Sequence, residues 1–177
     1  MKPVSYKKDF LVRNIQKEFE NFSDFLSQLK LPEGFDQYLL YVVSELFTNI
    51  EEHSEAGRAK IRMKINKNLF LVIEDTGIGI RRSYLKRKIF PKDDFSAIDF
   101  ALSGLSAKDS SKRGFGLYSI QNLTRKLDGQ LTIETGRAKI VIQKNKKEYQ
   151  KIAPKKGTKI TINAPIKKFA FYKYLEK

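Results

Sequence analysis

At 177 residues with 41% hydrophobic content, the chain is long enough for one well-formed core and short for two. It has no cysteine and one histidine, which excludes a disulfide framework, a thiolate metal site and a cysteine nucleophile, and leaves little from which to build a protein zinc site. The formal charge of +15 is lopsided: residues 137–177 carry 13 Lys or Arg against Glu148 and Glu176, a net of +11, and residues 1–136 hold the other +4.

Residues 13–30, "RNIQKEFENFSDFLSQLK", set Ile15, Phe19, Phe22, Leu26 and Leu29 at helical spacing, and "LPEGF" ends that helix. A second helix is predicted from about Asp36, read as its N-cap, to about His53, ahead of the glycine in "SEAG". "AKIRMKI" alternates with period two and "LFLVIED" is a short apolar run, so the pair reads as adjacent strands joined at "NKN". A long polar and basic insert, read as a mobile lid, runs over residues 81–113, with "DFSAIDFAL" as one short helix inside it. A third helix starts near Gly116, with Leu117, Ile120, Leu123 and Leu127 on one face, and stops at "DGQ". Strands follow at about 130–135, 138–143 and 158–164, the last after a basic connection ending in "PKKGT".

This order predicts an α/β protein, residues 1–177 forming one domain: a two-layer α/β sandwich with a mixed, mainly antiparallel sheet and helices on one face. The longest apolar runs, "YLLYVV" and "LFLVI", fall far short of the roughly 20 residues that span a bilayer, and the basic N-terminus has no signal-peptide apolar stretch. A soluble, cytoplasmic protein with no membrane partner is expected.

The stretch "ELFTNIEEHS", residues 45–54, concentrates polar chemistry on the second helix. On a wheel at about 100° per residue, Leu39, Leu40, Val43, Leu46, Phe47 and Ile50 gather into one arc, while Glu45, Asn49 and Glu52 lie opposite with His53 beside them. One reading is a solvated helix face. Asn49 weakens it slightly, because asparagine is a poor helix former where Lys, Glu or Gln would serve. The other reading is a site for a hydrated magnesium ion on a polyphosphate: Asn49 offers a neutral oxygen, and Glu45 orients or deprotonates a water or hydroxyl aimed at the terminal phosphate. His53 is read as a helix-end residue satisfying a late carbonyl, with a catalytic base as the alternative.

Two glycine boxes follow. In "EDTGIGI", Asp75 stands at a strand end beside Gly77 and Gly79, where a ligand can approach the backbone closely. Its carboxylate suits a donor such as the adenine amino group, and an Asp-Thr-Gly hairpin turn is the alternative. In "KRGFGLYSI", Gly114 and Gly116 precede a helix, so backbone N–H groups and the positive end of its dipole would point at an anion. This box lacks the Gly-Lys-Ser or Gly-Lys-Thr ending of a Walker loop and the third glycine of a dinucleotide fingerprint. The basic insert ahead of it includes Lys86, Arg87, Lys88, Lys92, Lys108, Lys112 and Arg113.

Taken in order, these stretches resemble the ATP-binding module of the GHKL superfamily, the Bergerat fold of histidine kinases, anti-sigma-factor kinases, gyrase and MutL. "ELFTNIEEHS" is similar to its N box, "EDTGIGI" to its first glycine box, "RGFGLYSI" to its second, and "KKGTKITINAPI" to the Gly-Thr and final strand that close the module. The resemblance spans roughly residues 36–165 and implies ATP and Mg²⁺ as ligands. It implies Glu45 as general base, Asn49 as magnesium ligand, and Asp75 as the adenine-specifying carboxylate in a pocket shaped by Gly77 and Gly79. Gly114, Phe115, Gly116 and Leu117 match the phosphate-cradling hinge of the lid, and Thr158 the threonine that supports adenine recognition. "SAK" at 106–108 is similar to the Thr-Thr-Lys of some family lids, which brings in Lys108.

Where many histidine kinases carry Lys or Arg three positions after the N-box asparagine, this chain has Glu52, and its sole histidine lies within the N box. The resemblance therefore implies a free-standing module of the anti-sigma-factor serine/threonine kinase type rather than a complete histidine kinase. A Mg-dependent kinase phosphorylating a regulatory protein, anti-anti-sigma-like or sigma-like, is expected first. A non-catalytic, ATP-gated interaction module is the second reading, and a nucleic-acid-associated ATPase using the basic C-terminal quarter is the third. That basic quarter equally fits lysines decorating exposed strands, and a homodimer is left open.

Overall fold

The computed structural model describes residues 3–104 and 116–175. In chain order it contains β1 (Val4–Leu11), a 3₁₀ turn (Val12–Asn14), α1 (Ile15–Ser27), α2 (Phe35–His53), β2 (Arg58–Ile65), β3 (Asn68–Asp75), α3 (Ile80–Lys86), α4 (Asp94–Leu102), α5 (Gly116–Lys126), β4 (Gln130–Gln143), β5 (Lys146–Pro165) and α6 (Phe171–Leu175). The strands form one five-stranded sheet in the order β1-β2-β3-β5-β4, and each neighbouring pair is antiparallel.

Period-two burial orients the sheet. Ile61, Met63 and Ile65 of β2, Leu71 and Ile73 of β3, Ile160 and Ile162 of β5, and Leu131 and Ile133 of β4 point into the core. Against them α2 presents Tyr38, Leu39, Val42, Val43, Leu46, Phe47 and Ile50, and α1 adds Phe22 and Leu26. Phe22, Phe35 and Tyr38 are fully enclosed, and each buried side chain of this size contributes about 1.5–3 kcal/mol relative to exposure. The Tyr38 hydroxyl shares a buried 2.9 Å hydrogen bond with Thr124 Oγ1, fixing α2 against α5. The result is the two-layer α/β sandwich, with helices on one face.

Several elements differ from the sequence reading. The sheet is wholly antiparallel rather than mixed. An N-terminal strand precedes the first helix: Tyr6 and Phe10 face inward, but Lys7, Lys8 and Asp9 interrupt the apolar alternation that would reveal it. Tyr6 anchors the strand, donating its hydroxyl to Glu18 of α1 at 2.5 Å. The first helix is shorter than 13–30. The second begins at Phe35 with Gly34 as N-cap, and Asp36 sits inside the first turn, where its charge complements the helix dipole.

Segments 130–135 and 138–143 are one strand with an irregularity at Gly136, and the strand placed at 158–164 starts twelve residues earlier, at Lys146. Its lysines and Pro154 read as a connection. They are tolerated because β3 pairs only with Lys159–Pro165, so the outer half of β5 leaves one edge free of partners. The insert is not uniformly irregular: α3 was unforeseen, and α4, foreseen as "DFSAIDFAL", is capped by the Asp93 carboxylate accepting from Ser96 N–H at 2.8 Å. The outer hairpin of β4 and β5 rests on α4, where Asp94 accepts from Arg137 N–H at 2.8 Å and Asp99 pairs with Lys147 at 3.0 Å.

Candidate functional site

Two clusters form along α2. At the first, the N-terminus of α5 lies over Glu45 and Asn49. Gly116 approaches so closely that a Cβ there would stand 2.6 Å from Glu45 Oε2 and 3.6 Å from Asn49 Nδ2. Glu45 and Asn49 are accordingly part-buried, whereas Glu51 and Glu52 are exposed, so this stripe is not an ordinary solvated face. Tyr41, one turn before Glu45, hydrogen-bonds Ser119 of α5. Burial pushes its hydroxyl pKa up, the Ser119 bond opposes that, and the Glu45 charge adds to it. Leu117 packs part-buried against the core.

The second cluster gathers around Asp75 at the end of β3. Asp75 is 5% exposed, its Oδ1 accepting from Gly77 N–H at 2.7 Å and its Oδ2 from Thr158 N–H at 3.2 Å. Burial raises its carboxyl above the ordinary range, opposed by these two N–H groups and by the Lys155 charge. Both oxygens keep lone pairs for a further donor. The first glycine box closes on the C-terminal end of α2: Ile78 N–H donates to the Ser54 carbonyl at 2.8 Å, and a Cβ on Gly77 would stand 2.0 Å from that same oxygen. Glu45 and Ser54 are nine positions apart, about 14 Å along the helix, so α2 is the spine joining the clusters.

Some of the machinery is not evident in the sequence. Thr135, 1% exposed, accepts from Ile80 N–H at 3.2 Å and donates to the Gly157 carbonyl at 3.0 Å, tying the box after β3 to the Gly-Thr of β5. Its only sequence signal is a threonine before a glycine in "ETGR", which names no partner. Gly157 has φ +71°, and a Cβ there would fall 2.1 Å from the Asp75 carbonyl oxygen. Gly157→Ala is therefore expected to destabilise the fold by about 2 kcal/mol and to weaken nucleotide binding, checked by denaturant unfolding and by the thermal shift on adding ATP.

The His53 ring meets charged side chains at the end of α2. Its Nδ1 lies 2.5 Å from Arg87 Nη2, and its Nε2 lies 3.6 Å from Glu52. A cation thus stands at this end of the N box, supplied across space from just beyond α3. Of the other insert cations, Lys86 pairs with Glu55 at 2.5 Å. Lys108, Lys112, Arg113, Gly114 and Phe115 lie outside the described residues. Among the described residues no cluster of three or more His, Asp or Glu side chains is placed to hold a metal ion by itself.

The family model for Histidine kinase-, DNA gyrase B-, and HSP90-like ATPase matches residues 36–168, three quarters of the chain. The chain belongs to this family. The matched span contains both clusters, from the start of α2 to the end of β5, and makes this an ATP-binding GHKL-type ATPase domain. No curated protein matches the chain in sequence. No helix among the described residues is long and apolar enough to cross a membrane.

Proposed function

We propose that residues 1–177 act as one cytoplasmic module, a Mg-dependent protein kinase of the anti-sigma-factor type that transfers the ATP γ-phosphate to a serine or threonine of a regulatory partner protein. The observation that carries this reading is the meeting of Glu45 and Asn49 with the N-terminus of α5 at Gly116, on the same helix that ends at the Asp75 cluster. Asp75, with Gly77, Gly79 and Thr158, receives the adenine. Gly114, Phe115, Gly116 and Leu117 hold the phosphates through backbone N–H groups, with Lys108 reaching the terminal one. Glu45 takes the proton from the attacking hydroxyl.

The residue chemistry fits magnesium: the Asn49 side-chain amide, which lies with the Glu45 carboxylate against Gly116, would offer one neutral oxygen and leave the rest of the shell to phosphate and water. Magnesium, when bound there, neutralises charge on the phosphates. Incubation with γ-labelled ATP and candidate partner proteins should place acid-stable label on serine or threonine, and none with Glu45→Ala. Label on no protein overturns the kinase assignment and favours an ATP-gated interaction module, whose nucleotide-dependent partner binding survives Glu45→Ala.

A further inference from the structure

The sheet face turned away from the helices carries a second surface. Three rows of side chains cross it in register. Lys60, Glu74, Lys159 and Glu134 form the first, Arg62, Val72, Thr161 and Thr132 the second, and Lys64, Phe70, Asn163 and Gln130 the third. The first row is internally neutral: Glu134 pairs with Lys159 at 3.1 Å, and Glu74 pairs with Lys155. The second and third rows differ. Their floor is apolar or uncharged, with Phe70 45% exposed, and their β2 end is cationic. Arg62 and Lys64 have no carboxylate partner among the described residues. The outer hairpin brings Lys139, Val141 and Glu148 to the far side of a shallow, open trough of about 650 Å³ that Arg62 lines, with Lys64 next along β2 on the same face.

We infer that this trough is a docking surface for a short extended segment of a partner protein that is acidic at one end and apolar at the other. Crossing from β2 to β4 covers three strand spacings, roughly 14 Å, which an extended segment of about four residues spans. Every second side chain along it faces the sheet, so carboxylates at its acidic end meet Arg62 and Lys64 on β2 and apolar side chains at its other end cover the exposed Phe70. A nucleic acid fits less well. Duplex DNA carries one charge per roughly 1.7 Å, and Glu74, Glu134 and Glu148 line the same trough. The surface lies on the sheet face opposite α2 and does not rest on the nucleotide reading.

The test is fluorescence anisotropy on the full chain with a labelled Glu-Leu decapeptide, five Glu followed by five Leu, a polyglutamate decapeptide and an oligothymidylate. The Glu-Leu peptide should bind tightest, and Arg62→Glu and Phe70→Ser should each weaken it by about tenfold while the ATP thermal shift stays unchanged. No binding of that peptide, tighter binding of polyglutamate or of oligothymidylate, or peptide affinity equal in wild type and both variants overturns the proposal. So does concentration-dependent self-association that Arg62→Glu abolishes.

Discussion

Glu45→Gln is expected to lower ATP turnover by about 10²- to 10⁴-fold, the range over which a positioned general base acts. Glutamine keeps the length and shape of the side chain, which matters because Gly116 of α5 comes down directly on the Glu45 carboxylate. It cannot take a proton. Binding should survive, since the Asp75 cluster proposed to receive the adenine and the N–H groups of α5 are untouched. The measurement is phosphate release alongside the thermal shift produced by ATP. Turnover that falls only in proportion to binding would assign Glu45 to nucleotide affinity instead of proton transfer.

Asp75→Asn should reduce the preference for ATP over GTP by about ten- to a hundredfold, the worth of one charge-assisted hydrogen bond. An ionised carboxylate only accepts, which matches the adenine amino group and rejects the guanine carbonyl. An amide can turn to donate. The variant also loses one acceptor for Gly77 N–H or Thr158 N–H, so the selectivity ratio is a cleaner readout than affinity alone. Acidification should mimic it in the wild type. Burial raises the Asp75 carboxyl, so ATP affinity falls as pH drops through a value above the ordinary carboxylate range, and Asp75→Asn flattens that dependence. The linked stability has the opposite sign. The folded state holds this proton more tightly than the unfolded chain, so the contribution is complete below the unfolded pKa and is lost as pH rises through the folded one. Selectivity unchanged in Asp75→Asn would remove this residue from the adenine pocket.

The core helices and inner strands were legible because their apolar residues repeat at periods set by backbone geometry: Leu39, Val43, Leu46, Phe47 and Ile50 on α2, and the alternation of β2. The Glu45/Asn49 and Asp75/Gly77 pairings were legible because each is local, one helical turn or two residues long. What pattern could not supply lies in contacts between distant segments. Thr135 meets Gly157 across 22 residues, and Arg87 meets His53 across 34. The strand β1 and the outer half of β5 hid behind lysines that an edge position tolerates and a central strand would not. α3 was missed because its seven residues, with Arg81, Arg82 and Lys86 among them, give too short a window for a helical period to register.

One strand serves two places. From Lys146 to Pro165 the backbone of β5 runs from the tip of the outer hairpin, past the Gly157 kink, under the Asp75 carboxylate and on between β3 and β4. The Thr158 N–H that binds the Asp75 carboxylate thus belongs to the same continuous backbone as the hairpin tip at Lys146, twelve residues away.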